Sequence, residues 1–278
     1  MPFLQTDRGR FFFNEFGSSG PILYLLHGLT AKNQDWGGVP DILAKMGFHI
    51  FTFDMKGHGQ SDKPEDGYFP EDHARDIDAC VRALGHTGIH VIGHSTGGRN
   101  ALFFSVLFPK DVLSLVIIDQ TLTADPEGWK KYQERFAKYP APFANEEALE
   151  KYIKKISEGD VRKFDYFKGQ FSPGADGRWD WNFSTTAIIK TQKLGREKDI
   201  FELLAQVKCP AFFIKGGDSA YVPPEDFERI KKALEGRVAV VEKAGHAVFR
   251  DNSEGFLKAL IPFLKTPNKN SLATDTHR

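Results

Sequence analysis

Cysteine is nearly absent from this chain. Two in 278 residues, Cys80 and Cys209, exclude a disulfide framework, and their separation excludes thiolate metal-ligand spacing. Both read as small buried hydrophobes. An excess of charge of either sign is also absent: Lys+Arg and Asp+Glu each number 37. No global field draws the chain to nucleic acid or to an anionic membrane. No run approaches the roughly 18 uninterrupted apolar residues of a membrane span. Residues 1–8 lack the basic-then-apolar pattern of a secretory signal. The expectation is a cytoplasmic chain with a small-molecule partner and no nucleic-acid or membrane partner. From Thr266 onward the sequence is polar and aperiodic, and 266–278 is expected to be a disordered tail.

What the chain has is enough apolar residue, 41%, for a substantial core, arranged in alternating strand and helix patterns. Residues 2–6 and 10–16 flank Asp7-Arg8-Gly9 as a hairpin. Pro21 to Leu26 is a continuous apolar run, expected of a central parallel strand buried on both faces. A helix over Val39–Met46, a strand over Phe48–Phe53 and a helix from Pro70 to Leu84, stopped by Gly85, follow. Next come a strand ending at Ile92, a helix over Asn100–Phe108 and a strand over Val112–Ile118. The alternation breaks between about Gln120 and Asp199, where Leu149, Tyr152, Ile153 and Ile156 have helical spacing. It resumes with strands at Ala211–Ile214 and Val238–Val241 and helices at Pro224–Leu234 and Ser253–Leu264. The pattern predicts an α/β core over 1–119 and 200–265 with a helical insertion, 120–199, after the sixth strand.

Residues 93–97 read Gly93-His94-Ser95-Thr96-Gly97, between a strand and a helix. Gly-x-Ser-x-Gly in that context marks a turn so sharp that the serine backbone is strained and flanking side chains would clash. It exposes the hydroxyl at the end of a sheet, beside a helix N-terminus, as a nucleophile. His94, the variable position, is expected to pack beside the nucleophile. A weakly acidic hydroxyl needs a base, and the base needs an orienting acid. His246 follows the last strand and Asp218 the strand before it. Functional groups in open α/β sheets collect at such carboxyl ends. Ser95, Asp218 and His246 are taken as the catalytic set. Asp119, which also ends a strand just before the insertion, is the competitor to Asp218. An oxyanion needs preorganised donors. The backbone N–H groups of Thr96 and of Leu29, in the loop His27-Gly28-Leu29-Thr30, are the candidates, with His27 structural. His73, His86 and His277 read as surface residues. This chemistry calls for no metal and no organic cofactor.

Taken together, His27-Gly28, Asp54-Met55-Lys56-Gly57-His58-Gly59-Gln60-Ser61-Asp62-Lys63-Pro64, Gly93 to Gly97, Asp218 and His246 resemble the α/β-hydrolase superfamily over about residues 2–265. The resemblance implies a mostly parallel sheet flanked by helices, with the insertion acting as a cap. It also implies that Asp54–Pro64 is a structural loop beside the centre. Members that open epoxides or cleave alkyl halides carry aspartate at the elbow. With Ser95 there, the resemblance implies instead a serine hydrolase of a small, mainly apolar ester. A lactonase, a C–C bond hydrolase or a ligand-sensing regulator with little turnover would use the same set. Seven of the residues from Phe164 to Phe183 are aromatic. They either line an apolar pocket, with Phe167, Trp179 and Trp181 as candidates, or anchor the cap to the sheet.

Overall fold

In the computed structural model, which describes residues 3–138 and 141–266, an antiparallel hairpin opens the chain: β1 (Phe3–Thr6) and β2 (Gly9–Phe16). Strands and helices then alternate through β3 (Ile22–Leu26), α1 (Val39–Lys45), β4 (His49–Phe53) and α2 (Pro70–Ala83). They continue through β5 (Ile89–His94), α3 (Thr96–Leu107) and β6 (Val112–Ile118). An insert follows, with α4 (Trp129–Lys138), α5 (Glu146–Ser157), α6 (Val161–Lys168), β7 (Phe171–Pro173), β8 (Trp179–Trp181) and α7 (Thr185–Gly195). The core resumes with β9 (Ala211–Gly216), α8 (Pro224–Ala233), β10 (Val238–Val241), α9 (Val248–Asp251) and α10 (Ser253–Lys265).

Eight strands form one sheet in the order β1-β2-β4-β3-β5-β6-β9-β10. From β4 to β10 every pairing is parallel, and β2 joins β4 antiparallel. The continuous apolar runs of the central strands have a direct cause. Side chains alternate between the two faces of a strand, and here both faces are buried. Tyr24, Leu26, Val91, Leu115 and Ile117 pack into one layer. Their neighbours Leu23, Leu25, Ile92, Val116 and Ile118 pack into the other. The insert has its own small core of Phe143, Leu149, Ile153 and Phe171.

The loop after β4 ties insert to sheet. The Asp54 carboxylate accepts hydrogen bonds from the Asn33 backbone at 2.8 Å and the Gln60 backbone at 2.8 Å, closing the loop on itself. Gly59 sits at φ 52°, and any Cβ there would overlap the Asp54 carboxylate. The loop then exchanges backbone hydrogen bonds with the insert, Gly59 N–H to Asn182 O at 2.6 Å and Ser184 N–H to Gly57 O at 2.8 Å.

Three expectations need correction. The insert is not wholly helical: β7 and β8 form an antiparallel hairpin, too short to show period-two alternation. The helix after the elbow starts at Thr96 rather than Asn100; the two glycines that lower its propensity are required by close packing. His73 is 2% exposed rather than on the surface, because it shares the inward stripe of α2 with Ile77 and Cys80. The tail expected over 266–278 lies, from residue 267, outside the described residues.

Candidate active site

The elbow geometry follows from glycine. Ser95 joins β5 to α3 at φ 51° and ψ −123°, a conformation that costs a non-glycine residue about 1–3 kcal/mol. A Cβ at Gly93 would overlap the Gly97 carbonyl, and one at Gly97 would overlap the Leu26 and His27 carbonyls. Only a chain lacking both side chains closes this turn. The Ser95 N–H donates to Ile118 O at 2.8 Å, pinning the elbow to the end of β6.

His246 stands in the loop after β10, about 38% exposed at the side chain. Several contacts hold its loop. The neutral His94 ring, kept from protonation by burial, donates from Nε2 to the His246 carbonyl at 2.8 Å. The Tyr221 ring packs against the His246 imidazole at a tilt of 39°, with centroids 4.2 Å apart. The Gly245 N–H donates to Asp251 at 2.9 Å. The imidazole Nδ1 meets a carboxylate oxygen at 2.7 Å, and that carboxylate belongs to Asp119.

This corrects the expectation for Asp218. Its side chain is exposed, and its backbone N–H donates to Ala244 O at 2.9 Å. Asp119 is fully buried and stands at φ 45°, one residue past β6. The turn after β9 serves it with donors: Gly216 N–H to Oδ1 at 3.0 Å and Ser219 Oγ–H to Oδ2 at 2.5 Å. Both strands end in aspartate, but the β9 turn directs its backbone and Ser219 inward at Asp119 and leaves Asp218 outward. Ser219 and Tyr221 went unremarked in the sequence. The Gly216-Gly217 pair was the available signal, because a Cβ at Gly216 would overlap the Gly245 carbonyl of the His246 loop.

Ser95 and His246 line one cleft of about 400 Å³, with Gly28 and Leu29 at its edge. The His27 Nδ1–H donates to the Gly28 carbonyl at 2.8 Å, while His27 Nε2 accepts the Met55 N–H at 2.9 Å. Those two bonds fix its tautomer, and burial lowers its pKa to about 4. The Ala31 N–H also donates to the Gly28 carbonyl, at 3.2 Å. A trans peptide points its N–H opposite to its C=O, so the Leu29 N–H points away from these donors. Thr96 opens α3, so its N–H is one of the four that a helix leaves without an intrahelical acceptor.

The insert supplies Asp165, Tyr166, Gly169 and Gln170 to the cleft, and the core adds Asp35, Phe249 and Arg250. Phe167, Trp179 and Trp181 are not in this lining. They pack on the small core of the insert, where Trp181 stacks on Phe171 at 4.2 Å and on Phe183 at 5.1 Å. The aromatic density anchors the insert, and the cleft is more polar than those aromatics suggested. Among the described residues no cluster of His, Cys, Asp and Glu could hold a metal ion.

A family model described as the alpha/beta hydrolase fold matches residues 21–253. The chain belongs to this family. It is a hydrolase of the α/β class. It is 26% identical over 254 residues to N-formylmaleamate deformylase of Pseudomonas putida, covering 91% of each chain. It is 29% identical to 2-(acetamidomethylene)succinate hydrolase of Mesorhizobium japonicum, covering 94% of each. A crystal structure of E-2-(acetamidomethylene)succinate hydrolase superposes with a TM-score of 0.82 at 26% identity, over 95% of this chain and 98% of that one. No helix among the described residues is long and apolar enough to cross a membrane.

Proposed function

We propose that the protein is a serine hydrolase that cleaves a small carboxylic ester through an acyl-enzyme. Ser95 attacks the carbonyl carbon. His246 takes the Ser95 proton at Nε2 and returns it to the leaving alkoxide. Asp119 orients the imidazole through Nδ1 and stabilises its charged form. The Leu29 and Thr96 N–H groups receive the oxyanion. Water, activated by His246, then attacks the acyl-enzyme and regenerates Ser95.

The observation that carries this reading is the 2.7 Å contact between the His246 Nδ1 and the buried Asp119 carboxylate, in a loop that shares a cleft with Ser95. Hydrogen-bonded through Nδ1, the imidazole keeps Nε2 free to act as base. The names of two relatives carry carboxylate substrates, N-formylmaleamate and 2-(acetamidomethylene)succinate, so carboxylate-bearing substrates belong among the candidates for this chain. The test is turnover of p-nitrophenyl butyrate by the wild type and by Ser95→Ala. Turnover by the wild type and its loss in the variant, with circular dichroism unchanged, supports the reading. Equal turnover by both proteins rejects it.

A further inference from the structure

Ser219, in the turn after β9, is 8% exposed, and its hydroxyl makes two hydrogen bonds. Oγ–H donates to Asp119 Oδ2 at 2.5 Å. Oγ accepts the Tyr221 N–H at 3.1 Å. Neither direction is free to reverse. A backbone N–H can only donate, and an ionised carboxylate can only accept. The Tyr221 N–H therefore occupies a lone pair of the hydroxyl, and the one hydroxyl proton goes to Asp119. Hydrogen bonds chained in this way polarise one another, and a length of about 2.5–2.7 Å is usual for a hydroxyl against a charged oxygen.

The oxygen that receives this proton also holds the imidazole. His246 Nδ1 meets Asp119 Oδ2 at 2.7 Å, while Oδ1 takes only the Gly216 N–H, at 3.0 Å. Ser219 and His246 thus share one carboxylate oxygen. The same hydroxyl fixes the backbone of Tyr221, whose ring packs against the His246 ring with centroids 4.2 Å apart. Ser219 therefore acts on the imidazole twice, through its Nδ1 partner and through a side chain against its ring. The turn is closed firmly enough to keep the hydroxyl in place. The Ser219 N–H donates to Gly216 O at 3.1 Å. The Lys215 ammonium donates to the carbonyls at both ends of the turn, Gly216 O at 2.8 Å and Ser219 O at 2.9 Å.

We infer that Ser219 is a positioning residue of the reaction: by sharing Asp119 Oδ2 with His246, it limits how tightly the carboxylate holds the imidazolium and keeps His246 available as the base. A donor on the shared oxygen draws off part of its charge. Without that donor, Oδ2 binds the imidazolium more tightly, and its proton leaves only at higher pH. The imidazole must be neutral to accept the Ser95 proton, so removing the hydroxyl moves the acid limb of the kcat/KM profile upward. The inference rests on the serine-hydrolase reading, with His246 as its base.

The test is the dependence of kcat/KM for p-nitrophenyl butyrate on pH, between about pH 5 and 9, read at the isosbestic wavelength of p-nitrophenol. The titratable groups packed round the imidazole are Asp119 from the end of β6, His94 from the elbow and Tyr221 from beyond the β9 turn. The charged side chains lining the cleft are Asp35, Asp165, Arg250 and Asp251. All of these are the same in every Ser219 variant, so a difference between profiles belongs to Ser219. In Ser219→Ala the acid limb is expected about half a pH unit or more above its wild-type place. KM is expected to hold and the plateau kcat to stay within about tenfold, because the His246 and Gly216 bonds to Asp119 remain. Ser219→Thr, which keeps a hydroxyl, is expected to return the limb to its wild-type place. Ser219→Cys, whose thiol is a weak donor, is expected to fall between, and decides if the alanine variant does not fold. A limb that stays in place when the hydroxyl is removed, with rate lost equally at every pH, overturns the role, as does a limb that moves equally in Ser219→Thr. An unmoved limb with activity that Ser95→Ala abolishes rejects the role of Ser219 alone. Activity that survives Ser95→Ala rejects the serine reading itself.

Discussion

Replacing Asp119 with Asn tests the local electrostatics with almost no change of shape. The carboxylate accepts three donors: His246 Nδ1–H at 2.7 Å, Ser219 Oγ–H at 2.5 Å and Gly216 N–H at 3.0 Å. An amide can satisfy Gly216 only by placing its oxygen at the Oδ1 position. Its NH₂ then falls where Oδ2 was and faces His246. The imidazole must turn its Nδ1 lone pair toward that NH₂ and carry its proton on Nε2, where it cannot take the Ser95 proton. The flipped amide sets NH₂ against the Gly216 N–H. The first orientation favours the wrong tautomer, the second loses the Gly216 hydrogen bond, and in both the buried negative charge that stabilises imidazolium in the transition state is gone. Loss of the orienting carboxylate from a serine triad costs kcat about 10⁴-fold, or about 5 kcal/mol of barrier. The expected result for Asp119→Asn is a fall in kcat of about 10³ to 10⁴ on p-nitrophenyl butyrate, with KM little changed. Asp218→Asn, whose side chain is exposed, is expected to keep kcat within about threefold, as surface substitutions do. If Asp218→Asn is the more damaging variant, the assignment of the acid is wrong.

Two further outcomes follow from the packing. Trp181→Ala removes stacking on Phe171 and Phe183, each aromatic pair being worth about 0.5–1.5 kcal/mol beyond its area. Thermal unfolding should move down by several degrees while the preference between acetate and butyrate esters stays put; a shifted preference would return Trp181 to the pocket wall. His27, buried and neutral at a pKa of about 4 against 6.5 in the unfolded chain, binds fewer protons folded than unfolded between those values. Stability therefore rises with pH across that window and is lost as pH falls from about 6.5 toward 4, by about 3 kcal/mol from this histidine. His58, lowered to about 3, acts in the same direction. Its ring is 4.9 Å from His27, so the two do not add simply. Urea midpoints that hold level from pH 7 to pH 4 would contradict the neutral, buried assignment.

The elbow was legible because its constraint is steric and local. The clashes that Gly93 and Gly97 avoid involve residues next in the turn or at the end of the adjacent strand, so residue type alone encodes the geometry. The parallel core was legible for a related reason, since strands buried on both faces must be apolar throughout. The acid was not. Asp119 and Asp218 end adjacent strands, and the choice between them depends on the direction the β9 turn takes, which neither residue's type encodes. The aromatic run from Phe164 to Phe183 misled because core packing and pocket lining use the same side chains. Its role was settled by partners such as Phe143 and Phe136, distant in the chain.

The measurement closest to the central claim is covalent labelling. Wild-type protein inactivated with diisopropyl fluorophosphate is digested, and the modified residue is located by tandem mass spectrometry. The expected result is one phosphoryl adduct per chain, on Ser95, forming in step with the loss of esterase activity. In Asp119→Asn the adduct should form about 10³-fold or more slowly, because the same base activates the hydroxyl toward phosphorus. An adduct on another serine, or inactivation with Ser95 unmodified, would contradict the assignment of Ser95 as the nucleophile.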